Sequence, residues 1–187
     1  IDAKLKSMVP KDAMNWLMIK AETYWFPSPE SKYNDALEEL NIYLELLKQG
    51  KASFYTRQDN LIPLLQVFED LMGSCEENLV KTYEKDGKKV SHFDADDYFF
   101  YAKGVACAMA PILEAVAVDF ASTVEPRRGS EILETIITEL HHAKDIDPIY
   151  ITNADLSGIL ANHRANMAAR ISGARYYLGL LIKTLST

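Results

Sequence analysis

The sequence predicts an all-α fold, a single-domain bundle of six or seven helices that spans residues 1–187. Apolar residues recur three and four positions apart along nearly the whole chain, which is the spacing of a helix face and not of a strand. Only 8 glycines and 7 prolines are present, too few for a disordered or collagenous chain. A chain of 187 residues can also bury a core without disulfides or a structural metal.

The first two predicted helices are separated by a proline-rich corner. Pro10 opens the first helix, and the segment Trp-Phe-Pro-Ser-Pro at 25–29 closes it, because residues before proline avoid the α region. The second helix is predicted from about Lys32 to Gln49, with leucines on one face. Gly50 follows in the usual C-terminal position.

The third predicted helix has the clearest apolar stripe, and Asp59 or Asn60 can cap its N-terminus. Pro63 is tolerated in its first turn. Its apolar residues are Leu61, Leu64, Leu65, Phe68, Leu71, Met72, Cys75 and Leu79.

The helical pattern breaks over residues 81–93, where Asp86-Gly87 favours a tight turn, so an exposed loop or a short β-hairpin is expected there.

Two further helices are predicted between residues 94 and 148. Asp94 marks the start of the fourth helix, because a carboxylate there meets unsatisfied backbone N–H groups. This helix continues to about Ser122, with a kink at Pro111. The fifth helix has Ser130 as its cap and ends at Pro148.

Asn153 is predicted to cap a last long helix or a broken pair of helices. Arg164 falls at the edge of its apolar stripe, so the guanidinium needs a partner or must extend to water. The stripe consists of Leu156, Leu160, Met167, Ile171, Ala174, Leu178, Leu181 and Leu185.

The aromatic run Tyr98 to Tyr101 cannot place all four rings in one core, because consecutive helix residues point in different directions. Packing in the core and against other helices is favoured for the run. A partner or lipid surface is left open for the rings that point outward.

Charge argues against several partners. The net charge is −7 and the sequence pI is about 5.1, which opposes a general attraction to nucleic acid or anionic lipid. No nucleic-acid partner is therefore expected. The longest nearly uncharged run, Gly104 to Val118, is interrupted by Pro111 and Glu114 and is too short to span a bilayer.

Catalytic motifs are missing from the sequence. It contains no G-x-S-x-G, no glycine-rich phosphate loop and no C-x-x-C pair. Cys75 and Cys107 lie on apolar helix faces, where free buried cysteines act as small hydrophobes, and a disulfide is the alternative. No catalytic residue and no cofactor is predicted, and the chain is expected not to be an enzyme.

A metal-dependent enzyme is the least favoured alternative. The run Glu139-Leu140-His141-His142 supplies one Glu-x-x-His pair, whereas a di-metal site in a bundle needs two. The adjacent histidines point about 100° apart on a helix, so they rarely bind one ion together. We assign no metal ligand and keep Glu139 with His142 as a hypothesis.

Two polar clusters are the candidate binding residues. The first consists of Arg57, Asp59 and Asn60, where capping explains a carboxylate or an amide but not the arginine. The second cluster consists of Asn162, His163, Arg164, Asn166 and Arg170. A structural hydrogen-bond network between helices is the favoured interpretation of both clusters, and an anion or polar-ligand pocket is the alternative.

Four short segments carry a resemblance to a known family. They are GKASFYTRQDNL at 50–61, YAKGV at 101–105, VDF at 118–120 and ANHRANMA at 161–168. The chain resembles an uncharacterised bacterial family with a domain of unknown function, whose members carry an N-terminal membrane anchor and a mostly helical body. The family's recurring polar positions match Arg57, Asp59, Asn60, Asn162, His163 and Asn166.

The resemblance implies that Ile1 follows a removed membrane anchor and that the domain lies on the periplasmic side of the inner membrane, with the cytoplasm as the alternative. It brings no catalytic residue. We therefore expect a non-enzymatic interaction or scaffold domain of the cell envelope, whose partner is another envelope protein. The alternative is a sensory domain that binds a small ligand or anion near His163, Arg164 and Arg170.

Overall fold

The computed structural model describes residues 29–148, 151 and 162–187. The fold is all-α, as predicted, and the described residues form six α-helices and one 3₁₀ turn. The helices are α1 (Pro29–Lys48), α2 (Gln58–Val80), α3 (His92–Asp119), α4 (Ala121–Val124), α5 (Gly129–Asp145) and α6 (His163–Leu185), with the 3₁₀ turn at Glu125–Arg127. The first predicted helix and the predicted cap at Asn153 lie outside the described residues.

The chain divides into two compact units, Ile1–Asn60 and Leu61–Thr187. In the first unit, α1 ends at Lys48 and Gly50 takes the left-handed conformation with φ of 67°. The N–H of Lys51 then donates to the carbonyl of Leu46 at 2.9 Å. This is the glycine-terminated helix end that the sequence predicted. The single-domain organisation stays a prediction.

The core of the second unit is formed by buried apolar side chains of α2, α3, α5 and α6. Lys103 of α3 contacts Asp147 just after α5, Glu139 of α5 contacts Arg170 of α6, and Asn78 of α2 contacts Arg164 of α6. The stripe predicted for the last helix is confirmed from Met167 onward, because Met167, Ile171, Ala174, Leu178, Leu181 and Leu185 are all buried. Its first two members, Leu156 and Leu160, lie outside the described residues.

The predicted starts of α2 and α3 are wrong by a few residues. α2 begins at Gln58, so Asp59 and Asn60 lie in its first turn and not at the cap. α3 begins at His92 and is capped by Ser91, whose hydroxyl accepts from the N–H of Asp94 at 3.1 Å. The Asp94 carboxylate accepts in return from the N–H of Ser91 at 3.3 Å, which completes a capping box.

Ser130 does not cap α5, because that helix begins at Gly129. The preceding Arg128 has a φ of 55°, in the left-handed region that a residue without glycine's freedom seldom enters. The 3₁₀ turn before it reverses the chain between α3 and α5 within a few residues. The helix ends at Asp145, before Pro148.

Residues 81–90 form a tight turn with hairpin-like pairing. Tyr83 and Lys89 make a single antiparallel bridge, and the N–H of Glu84 donates to the carbonyl of Lys88 at 2.7 Å. Gly87 has a φ of 81°, as expected for an Asp-Gly turn. No strand forms in the part of the chain that the structure describes.

Two helical glycines are expected to respond oppositely to alanine. An added Cβ at Gly129 would lie 2.9 Å from both Leu181 Cδ1 and Val124 Cγ1, so we expect Gly129→Ala to lower the free energy of unfolding by about 1–3 kcal/mol. At Gly104 the added Cβ meets nothing within 4 Å, and Gly104→Ala should raise the free energy of unfolding by up to about 1 kcal/mol. Urea denaturation of both variants measures this, and equal effects would contradict the packing described at Gly129.

Candidate functional site

The first polar cluster is held by local contacts in the first unit. The Arg57 guanidinium donates to the Asp59 carboxylate at 2.7 Å, and both side chains are exposed. The Asn60 amide donates to the carbonyl of Tyr55, also at 2.7 Å, and the residue is buried. The Arg57 side chain that capping could not explain therefore pairs with its neighbour two residues along the chain.

The second cluster surrounds the start of α6. Asn162 is the cap of this helix, and its side-chain oxygen accepts from the N–H of Ala165 at 2.9 Å. His163 is half-buried and Asn166 is exposed. Arg170, about one turn beyond Asn166, donates to the Glu139 carboxylate of α5 at 3.2 Å.

Arg164 is the deeply buried member of the cluster, with 3% of its surface exposed. Its Nη2 donates to the carbonyl of Asn78 at 2.6 Å and to the carbonyl of Lys81 at 2.8 Å. These carbonyls belong to the C-terminal end of α2, where the last backbone oxygens lack partners in the helix and carry partial negative charge. The guanidinium thus joins the start of α6 to the end of α2.

An aromatic ring and a second cation lie beside this guanidinium. The Arg164 Cζ is 5.8 Å and the Lys81 Nζ is 5.4 Å from the centroid of the Tyr98 ring. The Tyr98 hydroxyl donates to the Glu84 carboxylate at 2.8 Å, and Lys81 pairs with Glu84 directly. The network therefore connects α2, the turn at 81–90, α3 and α6.

Burial and hydrogen bonding change the acidity of these groups. Burial raises the pKa of the Tyr98 phenol, and the neighbouring Glu84 carboxylate adds to the effect. The hydrogen bond from Lys81 lowers the pKa of Glu84. Burial lowers the pKa of Arg164 as well, although an arginine side chain keeps its charge in proteins at neutral pH.

These contacts agree with the structural-network interpretation that the sequence left open. The Nη2 of Arg164 donates to two backbone oxygens, Asn162 caps a helix and Arg170 pairs with a carboxylate. A ligand-binding role for the eight residues of the two clusters stays a prediction.

A polar groove lies between α2 and α6, and the sequence pattern did not predict it. It has a volume of about 560 Å³, and in it Glu76 accepts from Ser172 at 2.5 Å and from Arg175 at 2.9 Å. A Cβ added at Gly73 would lie 3.0 Å from Arg175 Cζ, and a Cβ added at Gly179 would lie 2.9 Å from Glu69 Oε1. Glycines inside two long helices were the available signal, since they let charged side chains of the facing helix lie against the backbone.

The two cysteines differ in environment. Cys75 is buried as predicted, and burial raises the pKa of its thiol to about 11. The prediction for Cys107 is wrong, because this residue lies on the exposed side of α3. Apolar residues occur on all sides of α3, so the sequence pattern does not reveal which of them face the core.

The exposed side of α3 is an apolar surface, which we call the outer face of α3. Phe93 and Val118, near its two ends, are 84% and 77% exposed. The charged side chains nearest its middle form ion pairs with residues in or just after α5. Lys103 pairs with Asp147 at 2.6 Å, and Glu114 pairs with His141 at 2.7 Å. The face consists of Phe93, Phe100, Gly104, Cys107, Ala108, Pro111, Ala115 and Val118, all of them exposed.

The aromatic run of α3 divides as expected between the core and the surface. Phe99 is completely buried, whereas Phe100 and Tyr101 are exposed and Tyr98 joins the polar network. Phe99 and Phe100 meet edge to face, with ring centroids 5.4 Å apart.

By length and composition, α3 is the one helix among the described residues that could cross a membrane. At 28 residues it is longer than the nearly uncharged run considered above. The core helix of a soluble protein meets the same criterion. α3 contributes eight buried residues to the core of the second unit.

Metal ligands do not gather among the residues that the structure describes. No group of three or more His, Cys, Asp or Glu side chains there could hold an ion. Glu139 is engaged by Arg170, and His141 by Glu114. The two side chains of the metal hypothesis, Glu139 and His142, thus have no third ligand in the described part.

Fold and contacts together define an all-α bundle in which Arg164 is the most buried charged side chain of the part that the structure describes. The chain belongs to DUF2333, a family described as an uncharacterized protein conserved in bacteria, whose model matches residues 9–87 and 77–180. This confirms the resemblance to an uncharacterised bacterial family. No curated protein and no solved structure matches the chain significantly.

Replacing Arg164 is expected to destabilise the second unit much more than replacing Arg170 on the same helix. Arg164→Met keeps the apolar stem but leaves two carbonyls at the end of α2 without their donor, at a cost of about 1.5–3 kcal/mol. Arg170→Ala removes a partly exposed ion pair and should cost less than about 1 kcal/mol. Urea denaturation compares the two, and a small effect for both would contradict the role assigned to Arg164.

Glu76 is expected to make stability depend on acidic pH. Hydrogen bonds from Ser172 and Arg175 lower the pKa of Glu76, so its contribution is fully present above the pKa of an unfolded glutamate. That contribution is lost as the pH falls through the lowered pKa of the folded state. Glu76→Gln should therefore be less stable than the wild type at neutral pH, and the difference should shrink on acidification.

Urea denaturation of wild type and Glu76→Gln, from neutral pH down to about pH 3, measures the difference. Glu77→Gln, at an exposed position on the same helix, serves as the matched control and should show no such convergence. A difference for Glu76→Gln that stays constant over the whole range would overturn the assignment.

Proposed function

We propose that this chain is a non-enzymatic interaction domain of the bacterial cell envelope, and that the outer face of α3 binds another protein. The observation that supports this function is the apolar, exposed character of that face. Apolar side chains in contiguous exposed patches are characteristic of interaction sites on proteins. The two large side chains near the ends of the face, Phe93 and Val118, are among the most exposed hydrophobic residues of the described chain.

The surroundings of the face favour binding over simple solvation. Lys103 and Glu114 are each paired with a group at or near α5, so no charged side chain from the middle of α3 covers the face. Depletion of charge at the centre with polar groups at the rim is the usual composition of a protein interface. The envelope location rests on the resemblance to anchored bacterial proteins stated above.

A thiol at the centre of the face allows a position-specific test. Cys107 is exposed, whereas Cys75 is buried with a thiol pKa raised to about 11, so a thiol-directed photo-crosslinker will attach to Cys107 alone in the folded chain. We expect irradiation in envelope fractions of a bacterium that encodes the chain to give one discrete adduct.

The control moves the crosslinker off the face. In the double variant Cys107→Ser, Ser74→Cys, the reagent sits on an exposed position of α2, and the adduct should disappear. Ala108→Glu, which places a charge on the face, should reduce the Cys107 adduct several-fold while circular dichroism stays unchanged. Equal adducts from positions 74 and 107 would contradict the proposal.

A further inference from the structure

Resting on the proposed function, we infer the chemistry of the partner: the element that binds the outer face of α3 is an apolar α-helix with basic residues at both of its ends. Three properties of the face lead to this inference, namely its length, its small central residues and the charges at its two ends.

The length and shape of the face fit a helix. α3 has 28 residues and is therefore about 42 Å long, and the face follows its exposed side with residues three and four positions apart. Such a row of side chains is the surface into which the ridges of a second helix pack.

Most of the residues in the middle of the face are small, although Pro111 and the half-exposed Ile112 also lie there. Gly104, Cys107, Ala108 and Ala115 are all exposed, and a Cβ added at Gly104 would meet no atom within 4 Å. Larger side chains stand near both ends, with Phe100 before the small residues and Val118 after them. A helix that lies along the face can therefore approach closely in the middle, where packing distances between helices depend on the side chains at the contact.

Both ends of the face are negatively charged. Asp96 and Asp97 are exposed near the start of α3, and Asp119 is exposed at its last residue. At that end the helix dipole adds further negative potential beside Asp119. No hydrogen bond or ion pair within the described residues occupies these carboxylates.

This charge pattern selects among the possible occupants. In a pair of identical faces, parallel or antiparallel, acidic ends would lie opposite acidic ends, which opposes a homodimer. An anionic lipid surface is repelled for the same reason, and the net charge of −7 adds to the repulsion. A helix that presents lysine or arginine at each end satisfies both the apolar middle and the acidic ends.

The test uses two fluorescent helical peptides of about 20 residues, which are long enough to cover the small residues of the face. Both peptides carry the same leucine and alanine face, and they end in lysines in one case and in glutamates in the other. We expect fluorescence anisotropy with the full chain to show at least about tenfold tighter binding of the lysine-ended peptide at low salt, since several exposed charge pairs each contribute a few-fold. The preference should decrease as salt screens the charges.

Substitutions on α3 test whether the preference for the lysine-ended peptide arises from the outer face of α3. Replacing Asp96, Asp97 and Asp119 by asparagine should remove the preference for lysine ends, whereas Asp70→Asn, at an exposed position on α2, should leave it unchanged. Gly104→Leu adds a large side chain in the middle of the face and should weaken both peptides at least about tenfold, whereas Gly104→Ala should be tolerated because its Cβ enters open space.

Several results would overturn the inference. These are equal binding of the two peptides, no binding of the lysine-ended peptide, self-association of the chain in sedimentation that Gly104→Leu abolishes, and binding to phosphatidylglycerol vesicles that Ala108→Glu abolishes. The proposed function is judged separately by the Cys107 adduct. If the adduct is position-specific but the two peptides bind equally, only the inference of a basic-ended helix is contradicted. If no adduct forms at Cys107, the proposed protein-binding function is contradicted as well.

Discussion

The second unit depends on one buried cation, the guanidinium of Arg164. Its two hydrogen bonds to carbonyls at the end of α2 fix where α6 starts relative to that helix. The Tyr98 ring lies 5.8 Å from its Cζ, and the Tyr98 hydroxyl in turn donates to Glu84. Burying a charge is costly unless it is hydrogen-bonded, so the arrangement admits little variation in how the helices meet.

α3 has two apolar sides, one of them buried in the core and the other exposed. One side supplies Phe99, Met109 and Leu113 to the core, and the opposite side is the exposed outer face. Because both sides are apolar, the helix has little amphipathic character and resembles a membrane-spanning segment by composition. A soluble core helix with an additional binding surface gives the same composition, and the placement of Lys103 and Glu114 toward α5 distinguishes the two sides.

Local patterns in the sequence predicted the helices well, because periodic apolar residues determine which side of α2 and α6 is buried. They failed where a contact joins distant residues. Arg164 was recognised as needing a partner, but its acceptors are backbone oxygens 86 and 83 positions away, which carry no sequence signal. Cys107 was placed in the core because α3 is apolar all round, and the Ser91 capping box was missed because Asp94 also resembles a cap.

The short reversal between α3 and α5 has a consequence for how the chain folds during synthesis. These two helices are separated only by residues 120–128, so they can pair as soon as both have left the ribosome. α2 contacts α6 through pairs as far apart as Glu76 and Arg175, 99 positions along the chain. The contacts between α2 and α6 can therefore form only after α6 has been translated, so the second unit completes its folding late in synthesis.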